Sequence, residues 1–277
     1  MASTLRSIRL AHGVRLHYAE QGDPGGIPVV MLHGITDSWR SFESVMAHLS
    51  GSLHVFALSQ RGHGESDRPG RYRTRDFAGD AAALIEALGL GPALVVGHSM
   101  GSVNAMRLAI DRPELLRGLM TAGTFAGFRD KPELVEFNRS AIEPLRDPIA
   151  PGFAAEWQQS TLARPVPPAF FDTVVRECLQ APAAVWRDAF SALFEDDFAA
   201  EIDRIAVPTL VVWGDRDAFC PRGDQARVVR AIAGSRLLTY EGAGHALHWE
   251  EPERFARDLA SFASTLASPA TSEETLQ

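Results

Sequence analysis

Short apolar runs and helical patterns alternate along this chain. Continuous apolar runs that end near a glycine are typical of strands buried on both faces of a sheet. Such runs, with two shorter ones near the start, predict strands at 5–10, 14–20, 28–34, 53–59, 93–99, 116–123, 208–214 and 235–242. Apolar residues at helical spacing predict helices at 39–50, 74–90, 100–111, 223–233 and 252–266. The alternation predicts an α/β fold, in which helices cover both faces of a parallel sheet.

One region interrupts this alternation. Residues 126–203 contain no run typical of a buried strand, but they contain many prolines and several amphipathic pieces of helical length. We therefore predict a helical cap at 126–203, inserted into a core formed by 1–125 and 204–267. The polar residues 268–277 are expected to form a disordered tail.

The composition of the chain limits which binding partners and which cellular compartment are expected for the protein. The 277-residue chain has a net charge of −8, and its arginines form no basic run, so a nucleic-acid partner is not expected. Two cysteines, Cys178 and Cys220, do not form a disulfide framework or a metal site. No apolar run has the length of a signal peptide core or of a membrane span. We expect a soluble cytoplasmic protein without a membrane partner.

The clearest chemical motif is Gly97-His98-Ser99-Met100-Gly101, which fits the pattern G-x-S-x-G. It lies between a predicted strand and a predicted helix, where a sharp turn would project the Ser99 hydroxyl from the edge of the sheet. Side chains two residues before and after the serine would contact the neighbouring backbone, which explains both glycines. A glycine-rich turn with a capping serine is the structural alternative.

With this motif and its context, the chain resembles the α/β-hydrolase family from about residue 5 to 266, in its serine-nucleophile, esterase-like branch. The resemblance implies a mostly parallel eight-stranded sheet, and a chain order of nucleophile, acid and histidine. It thereby implies Ser99 as nucleophile, Asp217 as acid and His245 as base. Asp217 is the third residue after Gly214, and His245 follows the last predicted strand. Asp215 is the alternative acid, and either aspartate could instead only form a turn.

A tetrahedral intermediate needs two N–H donors aimed at its oxyanion. Met100 directly follows the nucleophile, so its backbone N–H is one candidate. By resemblance to the family's His-Gly-x loop, the sequence "LHGIT" implies the backbone N–H of Ile35 as the other. The alternative for "HG" is a plain turn that ends a strand.

Four further histidines are assigned structural roles rather than proton transfer: His33, His63, His98 and His248. They form no convincing metal cluster, so neither a metal nor another cofactor is expected.

The residue at the nucleophile position narrows the chemistry. Serine at 99 argues against haloalkane dehalogenases and epoxide hydrolases, which resemble this chain but use an aspartate there. We expect a hydrolase that cleaves carboxylic esters or lactones through an acyl-enzyme at Ser99. Three alternatives stay open: a carbon–carbon bond hydrolase of diketones, a cofactor-free perhydrolase, and a non-catalytic ligand-binding protein on the same fold.

Aromatic residues of the predicted cap are candidates for an apolar substrate pocket above Ser99. They are Trp157, Phe170, Phe171, Trp186 and Phe190. Their alternative role is to form the hydrophobic faces of the cap helices. An apolar lining favours a small neutral ester-like substrate, because an unpaired carboxylate would lose its hydration there. Whether the protein forms a homodimer stays open.

Overall fold

A computed structural model describes residues 3–125, 127 and 131–267. Its centre is one eight-stranded sheet with the order β1-β2-β4-β3-β5-β6-β7-β8. The strands are β1 (Thr4–Arg9), β2 (Arg15–Gly22), β3 (Ile27–Leu32), β4 (Leu53–Ser59), β5 (Ala93–His98), β6 (Leu116–Ala122), β7 (Thr209–Gly214) and β8 (Arg236–Tyr240). β1 pairs with β2 and β2 with β4 in antiparallel fashion, and all other pairs are parallel.

Helices lie on both faces of the sheet. The α-helices are α1 (Glu43–Met46), α2 (Thr74–Ala87), α3 (Met100–Asp111), α4 (Pro132–Phe137), α5 (Pro151–Ser160), α6 (Pro168–Cys178), α7 (Ala183–Glu195), α8 (Arg222–Ala231), α9 (Leu247–Glu250) and α10 (Pro252–Ala267). Short 3₁₀ segments cover Trp39–Phe42, Pro113–Leu115 and Ala199–Arg204, and a π-helical segment covers Asn138–Ile142. Neighbouring residues of β5 show that both faces are buried: Val95 packs into one apolar cluster and Val96 into the other. The predicted α/β-hydrolase architecture is confirmed.

The segment predicted as a helix at 39–50 differs in the structure. It forms the 3₁₀ turn Trp39–Phe42 followed by the single turn α1. Trp39, Phe42 and Val45 are buried at a spacing of three residues, which matches the three residues per turn of a 3₁₀-helix. The Ser38 hydroxyl accepts a hydrogen bond from the backbone N–H of Arg40 and fixes the start of this turn.

Between β6 and β7 the described residues form helices and no strand. We call this set, from α4 to the 3₁₀ segment Ala199–Arg204, the inserted helices. Residues 126, 128–130 and the predicted tail 268–277 lie outside the described residues, and the domain boundaries stay a prediction. Within the described part of the chain, no helix is long and apolar enough to cross a membrane.

The parallel strands bring their carboxyl ends to one edge of the sheet. Ser99 directly follows β5, and the loop with Ile35 follows β3. Asp217 follows β7, and His245 follows β8. Ligands of open parallel sheets bind at this edge, so the topology gathers the candidate residues where a binding site is expected.

Candidate active site

Ser99 occupies a strained turn between β5 and α3. Its backbone has φ 51° and ψ −120°, a conformation that residues other than glycine rarely adopt. The two flanking glycines allow this turn. A Cβ on Gly97 would lie 2.3 Å from the carbonyl oxygen of Gly101, and a Cβ on Gly101 would lie 2.0 Å from that of Leu32. The predicted steric reason for both glycines is therefore present in the structure.

His245 and Asp217 form a buried hydrogen-bonded pair. The Nδ1 atom of His245 lies 2.9 Å from Oδ2 of Asp217, and the Asp217 side chain is fully buried. Its other oxygen, Oδ1, accepts hydrogen bonds from the backbone N–H groups of Phe219 (2.8 Å) and Cys220 (2.9 Å). The carboxylate is thus held by its own loop, and a proton on Nδ1 leaves Nε2 of His245 able to accept one from elsewhere.

Asp215, the alternative acid, lies in a different environment. It is exposed, and its Oδ1 accepts a hydrogen bond from the backbone N–H of Gly242. This contact joins the turns after β7 and β8. The contact with His245 belongs to Asp217, and Asp215 has the geometry of a turn residue.

Ser99 and His245 line one cavity, whose empty space, including the part open to solvent, is about 490 Å³. Most of its wall is apolar, with Ile35, Leu134, Trp157, Phe190, Leu193, Phe219 and Trp249. The polar side chains that reach it, besides Ser99 and the histidines, are Asp37, Gln158 and Thr161. Such a cavity, apolar with a few convergent polar groups, is the usual form of a small-molecule site.

The loop after β3 contacts both the cavity and the inserted helices. Ile35 lines the cavity, and Met100 is the first residue of the helix that follows Ser99. Thr36 has φ 68°, and its hydroxyl accepts a hydrogen bond from Nε1 of Trp157 at 3.2 Å. Nε2 of Gln158 donates to Oδ1 of Asp37 at 3.1 Å. Two neighbouring residues of α5 therefore fix the loop that carries one predicted oxyanion donor.

The four histidines assigned structural roles from the sequence are buried and take part in local contacts. His33 donates from Nδ1 to the carbonyl of Gly34, and His98 donates from Nε2 to the carbonyl of His245 at 3.1 Å. Burial lowers the pKa of His63 to about 4 and that of His248 to about 3. Burial also places the pKa values of His33 and His98 well below the ordinary value, so all four imidazoles are neutral near pH 7.

The structure separates the five cap aromatics that the sequence grouped together. Trp157 and Phe190 line the cavity. The other three are not among its described lining residues. Trp186 is fully buried beside Trp157, with ring centroids 5.9 Å apart. Phe170 and Phe171 pack in a separate cluster, where Phe170 lies against Trp249. For these three, the alternative role of holding the helices together describes their contacts.

Several lining residues escaped the sequence analysis. Asp37 lies two residues after Ile35, and Phe219 lies two residues after Asp217 with its ring centroid 5.2 Å from that of His245. Proximity in sequence to predicted catalytic residues was the available signal. Gln158 gave no signal, because an amide beside Trp157 on an amphipathic helix resembles any surface residue.

Asp217, Cys220 and His245 form the group of potential metal ligands that stands out among the described residues. The Asp217 oxygens are already engaged by His245 and two backbone N–H groups. Burial raises the pKa of the Cys220 thiol well above its ordinary value, which disfavours the thiolate that a metal would need. This donor set fits a hydrogen-bonded acid–base pair better than a metal site.

Comparison with known proteins defines the class. A family model described as alpha/beta hydrolase fold matches residues 27–252, so the chain belongs to the alpha/beta hydrolase family. A non-heme chloroperoxidase from Streptomyces lividans is 27% identical, over 92% of this chain and 98% of that protein. 3-Oxoadipate enol-lactonase 2 from Acinetobacter baylyi is 26% identical, over 88% of this chain and 91% of the relative.

Solved structures agree with this assignment. An esterase from Exiguobacterium antarcticum superposes with a TM-score of 0.84 at 25% identity, covering 93% of this chain and 98% of that one. The family, the fold and these neighbours support hydrolase activity. Sequence identities of 25–27% do not assign the type of bond that this protein cleaves.

Proposed function

We propose that this protein hydrolyses carboxylic esters or lactones of small, uncharged substrates through an acyl-enzyme at Ser99. The observation that supports this most strongly is the pairing of His245 with the buried Asp217, in the cavity that Ser99 enters from its strained turn. The esterase and lactonase among the similar proteins support the same bond class.

The proposed reaction has two halves. Ser99 Oγ attacks the substrate carbonyl while Nε2 of His245 takes its proton, and Asp217 holds the imidazole in the required tautomer. The backbone N–H groups of Ile35 and Met100 receive the oxyanion. The intermediate expels the alcohol, which takes the proton from His245 and leaves an ester on Ser99. Water then attacks this ester while His245 accepts the water's proton. His245 returns that proton to Ser99 Oγ as the acid is released.

The cavity lining supports an uncharged substrate. Among its described lining residues there is no lysine or arginine that could pair with a carboxylate. A buried carboxylate without such a partner would lose its hydration without compensation. The predicted helical cap has a role in this proposal, since the inserted helices contribute Trp157 and Phe190 to the wall above Ser99.

Ser99→Ala tests the nucleophile. We expect turnover of an ester such as methyl butanoate to fall by on the order of 10⁴ to 10⁶, because no acyl-enzyme can form. Circular dichroism of the same preparation checks the fold. A purified variant that keeps a tenth of the parent's turnover would show that another group attacks the carbonyl.

Asp217→Asn tests the acid, with Asp215→Asn as its matched control. The first change should reduce turnover by roughly 10⁴, because the imidazole loses its orientation and tautomer. The second should leave turnover within about threefold, since Asp215 only bonds the turn at Gly242. Turnover numbers of both variants are measured on one ester. A larger loss in Asp215→Asn than in Asp217→Asn would contradict the assignment of Asp217 as the acid.

A substrate panel separates the remaining chemistries. Esters, lactones and vinylogous diketones are compared with the parent and the Ser99→Ala variant, and an ester is also assayed with hydrogen peroxide for peracid formation. Cleavage of the diketone alone would assign carbon–carbon bond hydrolysis. Binding without turnover by either protein would assign a ligand-binding role.

A further inference from the structure

A second carboxyl group lies in the catalytic cavity and has no part in the proposed proton transfers. Asp37 is 4% exposed, in the loop that follows β3, and lines the same cavity as Ser99 and His245. Buried aspartates are rare unless they are paired with a cation or have a specific task. The environment of this side chain indicates what that task is.

The hydrogen-bond partners of Asp37 are neutral. Oδ1 accepts from Nε2 of Gln158 at 3.1 Å, and Oδ2 accepts from the hydroxyl of Ser41 at 3.2 Å. A backbone hydrogen bond from Gly34 also stabilises the ionised form of this carboxyl. A carboxylate offers about four lone-pair sites, so these three bonds leave it able to accept one more from the cavity. The carboxyl is therefore held in place by three donors without being saturated by them.

The titratable groups that face Asp37 include no lysine or arginine among the described residues. They are His245, His98, Cys178 and, through the Ser41 hydroxyl, His248. Burial raises the pKa of the Asp37 carboxyl to about 7, against the hydrogen bonds and the nearby His245, which lower it. Near neutral pH the cavity thus contains a carboxyl group that is partly ionised and is not paired with a lysine or arginine among the described residues.

Asp37 is the acidic side chain of a mostly apolar wall, in which Gln158 and Thr161 are the other polar residues besides Ser99 and the histidines. Trp157, Phe190 and Phe219 offer a substrate only aromatic surface, whereas Asp37 offers an acceptor. A hydroxyl or amide N–H of a bound substrate would gain a charge-assisted hydrogen bond there. A carboxylate on the substrate would meet a like charge in a site of low dielectric constant.

We propose that Asp37 is a specificity-determining residue that binds a hydroxyl or amide N–H of the substrate and rejects substrates that carry a carboxylate. This rests on the proposed function, because it concerns substrates of the same cavity. It narrows the substrate class to uncharged esters or lactones that bear a hydrogen-bond donor.

Three methyl esters of matched length test the proposal: methyl butanoate, methyl 3-hydroxybutanoate and monomethyl succinate. Methanol release gives kcat/KM for each ester with the parent protein, Asp37→Asn and Glu156→Gln. Glu156 is the matched control, since it is an exposed carboxylate on α5 and is not among the described residues of the cavity lining. Only ratios of kcat/KM between esters are compared, so that a change in activity common to all three esters does not affect the result.

With the parent we expect the hydroxy ester to exceed methyl butanoate by about tenfold, the usual worth of a hydrogen bond to a charged group. Asp37→Asn should reduce this preference and relax the discrimination against the succinate ester, each by about tenfold. Glu156→Gln should keep the parent's ratios. Ratios in Asp37→Asn that equal those of the parent would overturn the proposal.

The pH dependence separates specificity from a structural role. In the parent, discrimination against the succinate ester should increase as pH rises through about 7, because Asp37 gains its charge there. Asp37→Asn keeps every other titratable group of the cavity, so the difference between its ratio and the parent's reports on Asp37. In Asp37→Asn the ratio should be flat with pH, and a parent ratio that is equally flat would contradict the proposal.

A binding measurement keeps this inference separate from the proposed function. In the Ser99→Ala background, calorimetry compares the affinity of methyl 3-hydroxybutanoate with that of methyl butanoate, with and without Asp37→Asn. We expect about a tenfold preference that the second substitution removes. Absence of hydrolysis by the parent would refute the proposed function alone, whereas equal affinities in both backgrounds would refute the role of Asp37.

Discussion

Replacing Asp37 by asparagine is expected to stabilise the folded protein, and to do so more as pH rises. An ionised carboxylate at this site loses its hydration and gains only neutral hydrogen-bond partners. Burial therefore raises the pKa of Asp37. Asparagine has nearly the same shape. Its carbonyl can accept from Gln158, and its amide N–H can donate to the hydroxyl of Ser41.

Proton linkage gives the size and the sign of the effect. The pKa of Asp37 is about 7 in the folded state, against an ordinary value of 3.8. Between these values the folded protein retains a proton that the unfolded chain releases, so the parent's free energy of unfolding falls as pH rises. A difference of about three pKa units corresponds to about 4 kcal/mol, which is fully lost above pH 7. Asparagine does not titrate, so the variant escapes this loss.

Urea denaturation of both proteins at pH 5, 6, 7 and 8, followed by tryptophan fluorescence, measures the difference. Buried neutral histidines such as His98 and His248 also change stability with pH. Their lowered pKa values mean that stability is lost as pH falls below the ordinary 6.5. Both proteins contain these histidines, so their contribution cancels in the difference between variant and parent.

The expected result is a free-energy difference that grows by roughly 2–3 kcal/mol from pH 5 to pH 8, since the rest of the loss already occurs between pH 3.8 and pH 5. A difference that stays constant within about 0.5 kcal/mol across the range would refute the reasoning. It would mean that Asp37 keeps one protonation state throughout, and that the cavity does not impose the expected cost on its charge.

Two further changes test the cavity wall and the turn at Ser99. Trp157→Ala should shift relative activity across acyl lengths by about 1–3 kcal/mol, whereas Phe171→Ala, outside the cavity lining, should leave the profile unchanged in the same kinetic assay. Equal profiles in both variants would contradict the assignment of Trp157. Gly101→Ala should destabilise the protein by roughly 1–3 kcal/mol, because its Cβ would lie 2.0 Å from the Leu32 carbonyl. Gly152→Ala is the control, since no atom lies within 4 Å of its Cβ and thermal unfolding should show no loss.

The sequence predicted those parts of the fold that depend on local pattern. Apolar runs such as 53–59 became buried strands with nearly the same bounds, because a strand buried on both faces needs apolar side chains at every position. The turn around Ser99 could also be predicted, because a side chain at Gly97 or Gly101 would collide with neighbouring backbone. The sequence does not predict that β1 pairs with β2, and β2 with β4, in antiparallel fashion, because the direction of a strand in the sheet depends on contacts distant in sequence.

The cavity wall could not be predicted in the same way. Trp157 and Trp186 both lie on amphipathic helices, and only the packing of α5 against α7 decides that one faces the cavity and the other is enclosed. Asp37 is a lone aspartate after a glycine turn, which is the usual composition of an exposed loop. Its burial follows from Gln158, a residue 121 positions away that covers it.

The two hydrogen bonds between α5 and the loop after β3 make the residues of these two segments depend on each other. Trp157 is bonded to Thr36 and Gln158 to Asp37, so each segment supplies groups that the other must match. A chimera whose inserted helices lacked the donors of Trp157 and Gln158 but kept residues 34–38 would leave buried acceptors of Thr36 and Asp37 without these partners, close to the predicted oxyanion donor of Ile35. Grafting other helices onto this protein without losing these contacts therefore requires exchanging the helices together with this five-residue loop, although more than a hundred residues separate them in the chain.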